Sequence, residues 1–219
     1  MSVSCITPAM YAIARSACTH MASSCVSFRT AKELSAEGRY GKWLRQRPVM
    51  AIVNGVVFVH GGLVPEVAAL GCAEVNARVR RELNQDFDQT QQAPLATLAA
   101  GENGPLWYRG LAKDDESILA PQVDQVLRSL GARAVVVGHS VTGNGKISSR
   151  FGGRVFGIDV GMGDAYGGNL AALEVGADGT VSALYPDRRE ELARPAAAAA
   201  RVAPLRVPVA YSRILANAS

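Results

Sequence analysis

The chain has few of the residues that metal fingers and disulfide scaffolds require. Its 219 residues include only four cysteines, Cys5, Cys18, Cys25 and Cys72, with no CxxC pair. A zinc finger or a disulfide framework is therefore disfavoured, and reduced thiols are expected. No uninterrupted apolar run approaches the roughly 20 residues that a membrane span needs, so no membrane association is expected. Acidic residues are absent from residues 1–31, which carry Arg15, Arg29 and many Ser, Ala, Cys and Thr. Such a segment reads either as an organellar transit peptide or as a non-native start. The first reading implies a plastid or mitochondrial protein, the second leaves a soluble, cytoplasmic one. The net charge is only +4 and the cations are dispersed. With no basic stripe interleaved with aromatics, nucleic acid is not an expected partner.

What is present is ample core material, 48% of the residues being apolar, arranged in three zones. Residues 1–35 form the low-acid N-terminal segment and residues 188–219 an Ala/Pro-rich tail, expected to be disordered from about Arg194. The orderly part is 36–187. It opens with a short amphipathic helix over Glu37–Arg47, ended by Pro48. Two apolar runs, Met50–Val53 and Val56–Val59, flank Asn54-Gly55, the strongest short signal for a β-hairpin. A helix is expected from about Glu74 to Asn84, a polar loop over Asp86–Asn103 with one short helix near Ala93–Ala100, and a second long helix over Glu116–Leu130 stopped by Gly131. Strands are expected at Ala134–Gly138, Val155–Asp159, Leu170–Val175 and Val181–Tyr185, the last two joined by a turn at Gly176–Gly179. The fold class is α/β with a mixed sheet.

Two of the three histidines end apolar β-runs: Val56-Val57-Phe58-Val59-His60-Gly61-Gly62 and Ala134-Val135-Val136-Val137-Gly138-His139-Ser140. A strand presents its last side chain at the sheet rim with little freedom, and the glycines allow close approach. Two imidazoles presented in this way form half of a metal site, or else each is bonded to a neighbouring loop. Gly138-His139-Ser140 also imitates the serine turn of α/β-hydrolases. Residue 142 is threonine where that turn needs glycine, and no histidine follows Ser140, so a serine hydrolase is disfavoured.

Five blocks then occur in order: Phe58-Val59-His60-Gly61-Gly62-Leu63, Gly104-Pro105-Leu106-Trp107-Tyr108-Arg109, Val136-Val137-Gly138-His139-Ser140, Gly157-Ile158-Asp159-Val160-Gly161-Met162 and Ala165-Tyr166-Gly167-Gly168. Together they resemble the C-terminal half of the calcineurin-like metallophosphoesterase superfamily, and within it the bacterial-type Shewanella-like phosphatases of the phosphoprotein phosphatase group. The resemblance implies half of an α/β/β/α sandwich. It also implies a two-metal site of Mn, Fe or Zn, with His60 and His139 as ligands of the second metal. Arg109 would clamp the substrate phosphate, or be a surface arginine beside a buried Trp107. Tyr166 would stand at the substrate rim, and Asp159 would orient a ligand or cap the turn after it. The implied substrate is a phosphorylated protein or a small phosphoester, and the oligomeric state is left open. The family's GDxHG, GDxxDRG and GNHE blocks do not occur in this sequence. Three readings follow: a serine/threonine-type metallophosphatase incomplete as written, a catalytically dead pseudophosphatase that binds partners, and a dinucleoside polyphosphate hydrolase. Lacking those blocks, the fold is expected to expose an unpaired sheet edge and an uncovered apolar face.

Overall fold

The computed structural model describes residues 32–84 and 97–194. Asn54 and Gly55 both take positive φ, 50° and 73°, the pairing that a two-residue hairpin turn demands. They join strand β1 (Met50–Val53) to β2 (Val56–Val59), and helix α1 (Arg39–Arg45) precedes the hairpin. Helices α2 (Pro65–Ala68), α3 (Gly71–Asn84), α4 (Gly110–Lys113) and α5 (Glu116–Leu130) follow. The chain then alternates β3 (Ala134–Val137), β4 (Ser148–Arg150) and β5 (Val155–Gly157), and closes with β6 (Ala172–Val175), β7 (Val181–Leu184) and β8 (Arg189–Ala193). Asp115 starts α5 by accepting the Ser117 N–H at 2.8 Å, and Gly131 ends it at φ 59°. This is the side-chain cap at the start and the left-handed glycine at the end that hold a helix to its length.

Strands β1 to β5 make one mixed sheet of order β1-β2-β3-β5-β4, in which β2, β3 and β5 run parallel. Side chains alternate across it. Val57, Val59, Val135, Val137 and Val155 pack with Val75, Val79, Leu119, Val123 and Val126 of α3 and α5. On the other face Val56, Ala134, Val136 and Phe156 meet Val181 of the three-stranded sheet β6-β7-β8. The described residues thus form three layers: helices, mixed sheet, antiparallel sheet. The unpaired edge is present, because β1 has no strand on its outer side among the described residues.

The expected uncovered apolar face is found among them only at β1: the small sheet covers the second face of the mixed sheet over β2, β3 and β5, while Val53 on the same face is 44% exposed. The outer face of the small sheet carries Glu174, Ser182 and Glu191 in register. Arg189 bridges Glu174 at 2.7 Å and Arg194 bridges Glu191 at 2.6 Å. Ordered structure also continues past residue 187, since β8 pairs with β7 there. The expected N-terminal segment up to residue 31, residues 93–96 of the short helix, and the tail from 195 onward lie outside the described residues. Residues 97–100 form a turn rather than a helix. No described helix is long and apolar enough to cross a membrane, and Cys72 is a free thiol.

Candidate active site at the strand ends

The register places Val59, Val137 and Gly157 side by side at the ends of β2, β3 and β5. One step further along each strand the chain reaches His60, Gly138-His139 and Ile158-Asp159. Three adjacent parallel strands therefore deliver two imidazoles and a carboxylate to one rim, the location where α/β sheets bind ligands. The His60 carbonyl accepts the Gly138 N–H at 2.8 Å, and the Val137 carbonyl accepts the Ile158 N–H at 2.9 Å, extending the ladder into the site.

Each histidine is fixed from behind. Gly61 donates to the Pro105 carbonyl at 2.8 Å, and a Cβ on Gly61 would lie 2.8 Å from the Leu106 carbonyl carbon. Only glycine lets segment 105–107 approach so closely. His139 occupies φ 62°, and around it Ser140 N–H donates to the Gly138 carbonyl at 2.6 Å. That i to i+2 bond makes a γ-turn of the rare, strained sign, the kind of backbone cost that proteins hold at functional positions. Trp107 stands edge-on to the His139 ring, centroids 5.4 Å apart, and is anchored by its Nε1–H to the Ala99 carbonyl at 3.0 Å.

His60 Nε2 and His139 Nδ1 face each other at 3.1 Å. Burial pushes the His60 pKa from 6.5 down to about 4, with the nearby His139 and Arg109 acting in the same direction and Asp159 opposing. The His139 pKa is lowered as well, first by burial, then by Arg109 and Lys113, again against Asp159. Both rings are thus neutral at pH 7, the protonation state in which imidazole binds metal. Two nitrogens each about 2.1 Å from one ion stand roughly 3 Å apart when their bonds meet near a right angle. The observed spacing fits that arrangement. His139 Nε2 is buried without a hydrogen-bond partner among the described residues, so the direct contact between the rings does not complete this ring's polar requirements. The donor set is a half-site: among the described residues no group of three or more His, Cys, Asp or Glu is gathered for a metal.

Arg109 precedes α4 and borders a cavity of about 590 Å³ lined also by Trp107 and Tyr108. Its charge reaches both histidines. The Asp159 carboxylate accepts the Gly161 N–H at 3.2 Å, capping the turn that follows it, while its field reaches both rings. Tyr166 lies in a 3-10 turn, Asp164–Tyr166, 66% exposed on the loop after β5, with its backbone against bare Gly161. The structure thus gathers His60, His139, Asp159 and Arg109, and sets the exposed Tyr166 against Gly161, two residues beyond Asp159. Lys113 stands out little in the sequence. Its signal was the i, i+4 spacing from Arg109, which puts both cations on one face of the α4 turn.

Fold and site together define a layered α/β chain whose parallel strand ends hold two neutral histidines within the field of two cations. No family model matches the chain. It is 35% identical over 137 residues to an uncharacterised protein of Schizosaccharomyces pombe, covering 60% of this chain and 40% of that one. It is 27% identical over 128 residues to Shewanella-like protein phosphatase 1 of Plasmodium berghei, covering 57% and 35%. It is 28% identical over 123 residues to Shewanella-like protein phosphatase 2 of Arabidopsis thaliana, covering 55% and 30%. The chain spans less than half the length of these curated relatives. Among solved structures it shares the fold of the cold-active protein tyrosine phosphatase of a psychrophilic Shewanella. The TM-score is 0.61 at 24% identity, over 72% of this chain and 46% of that one.

Proposed function

We propose that this chain carries the two-histidine part of a metal-dependent phosphoesterase active on phosphomonoesters, including those of proteins. The observation that supports it most is the convergence of two neutral ring nitrogens, His60 Nε2 and His139 Nδ1, at 3.1 Å on one strand-end rim. Those two nitrogens would hold a divalent ion of the Mn, Fe or Zn kind. Bound there, the ion supplies Lewis-acid polarisation of the phosphoryl group and lowers the pKa of water toward neutrality.

The chain's own residues do the rest. Burial keeps both imidazoles unprotonated and therefore able to bind. The Arg109 guanidinium, presented at the start of α4, would hold phosphoryl oxygens in its planar fork. Together with Lys113 it gives the rim a positive field that draws in a phosphate dianion. Asp159 holds the turn after β5 through the Gly161 N–H, and so keeps the third strand end in place.

The similarity to Shewanella-like protein phosphatases supports the same reading, and the solved relative named a protein tyrosine phosphatase makes phosphotyrosine a substrate to test first. The test is hydrolysis of 4-nitrophenyl phosphate by the purified chain with and without Mn²⁺, beside a His60→Ala, His139→Ala variant. Metal-dependent turnover lost in the variant supports the proposal. Turnover equal in both proteins overturns it. A folded chain with no turnover that binds a phosphopeptide equally with and without Mn²⁺ replaces it with the binding-module reading, which the absence of a three-residue ligand cluster among the described residues favours.

A further inference from the structure

A second cavity, about 400 Å³, opens beside the histidine pair between the end of α4 and the loop after β3. It borders Ser140, the residue next to His139. Its polar lining is Lys113, Ser140, Thr142, Asn144, Ser148 and Arg150, and no carboxylate is among the lining residues. Arg150 is already committed. Its guanidinium donates to the Leu111 carbonyl at 2.8 Å and to the Asp114 carbonyl, and pairs with Glu116 at 3.2 Å. Lys113 is exposed and has no ion pair among the described residues, leaving one uncompensated cation at the mouth of a hydroxyl-rich cavity.

Two features shape the cavity's lining. Thr142 Oγ1 is packed out of reach of solvent, with its backbone N–H held by the Asp159 carbonyl at 2.8 Å. The floor at Gly157 is bare, and a Cβ there would lie 2.5 Å from Ser148 Oγ. The missing side chain is what leaves the Ser148 hydroxyl room to lie across the floor.

From this lining we infer that the cavity is a specificity subsite for an acidic side chain of the substrate, close to the phosphoester, with Lys113 as its counter-charge and the Ser148 hydroxyl as its hydrogen-bonding group. The inference rests on the phosphoesterase reading and adds a preference to it: a phosphopeptide flanked by Glu or Asp is selected over one with neutral flanks. Lys113 lies one helical turn from Arg109, so a single substrate can place its phosphate at Arg109 and a neighbouring carboxylate at Lys113.

The test compares three fluorescent peptides by anisotropy with the full chain in Mn²⁺: a peptide with Glu flanks carrying the non-hydrolysable difluoromethylphosphonate analogue of phosphotyrosine, the same phosphopeptide analogue with Ala flanks, and the Glu-flanked peptide without the phosphonate. The readout is the ratio of the first two affinities. The subsite predicts a ratio of about three- to fivefold, the size of one partly exposed ion pair. The ratio should shrink at high salt, collapse toward one in Lys113→Gln, and survive in Lys113→Arg. A ratio of one in the unmodified chain overturns the subsite while leaving the phosphoesterase reading intact, and so does a ratio that Lys113→Gln leaves in place. If neither phosphopeptide binds better than the unphosphorylated peptide, both readings fall.

Discussion

Acid should unfold this chain through His60 before it does so through its carboxylates. In the native chain the His60 pKa is held near 4, whereas the ordinary value is 6.5. Below about pH 6.5 the unfolded chain takes up a proton on this ring that the native chain refuses until about pH 4. The stability associated with neutral His60 is therefore complete above pH 6.5 and is lost progressively down to pH 4. A gap of about 2.5 pH units at roughly 1.4 kcal/mol each sets an upper limit near 3.4 kcal/mol. Because the ring is only half-buried, solvent screening brings the expected loss to about 2 kcal/mol. His139, whose pKa shift has the same sign, adds to it. The assay is urea unfolding between pH 7.5 and 4.5 in EDTA, comparing the chain with His60→Gln, which stays neutral throughout. Carboxylate titration is common to the two proteins, so their difference isolates the ring. The unmodified chain should lose about 2 kcal/mol more than the variant across this interval. Parallel profiles would refute the claim that the rim keeps His60 uncharged.

Three substitutions probe the scaffold that positions the site. Gly61→Ala places a methyl 2.8–3.0 Å from the Leu106 and Trp107 backbone and should destabilise by about 1–3 kcal/mol as segment 105–107 is displaced, seen as a lowered thermal midpoint together with altered Trp fluorescence. Phe156→Ala empties the centre of the layer between the two sheets, where Phe156 is fully buried, at a cost of about 3–5 kcal/mol in chemical denaturation. Asp115→Ala removes the α5 cap and should cost about 1 kcal/mol, with its far-ultraviolet spectrum little changed.

The sequence is most readable where one local rule dominates. Asn54-Gly55 admits only a tight hairpin, and that hairpin fixes where His60 falls. The helix Glu116–Leu130 has both of its ends written in single residues, Asp115 and Gly131. The strand-end histidines were legible because an apolar run ending in His-Gly has one natural place in a parallel sheet. Other elements carry no such mark. Ser148–Arg150 and Arg189–Ala193 are edge strands whose polar side chains face solvent or ion pairs, so no alternation betrays them. Their strand character comes from pairing with β5 and β7, which is a tertiary property. Pro65–Ala68 is a single turn, too short for helical periodicity to register. Within the site, the pairing of the two imidazoles was anticipated in kind, but the strained turn at His139 and the edge-on Trp107 are products of packing between segments far apart in the chain. The uncovered apolar face expected from what the sequence lacks is confined to β1, where Val53 is exposed, because the small sheet packs over β2, β3 and β5.

The central claim, that His60 and His139 together form a divalent-metal site, is tested most directly by calorimetric titration of the metal-free chain with Mn²⁺ and Zn²⁺, repeated on the His60→Ala, His139→Ala variant at pH 7.5. The account predicts saturable binding to the unmodified chain that weakens as pH falls toward the His60 pKa near 4 and is abolished in a variant that remains folded. Binding of equal strength in both proteins, or none in either at millimolar metal, would contradict it.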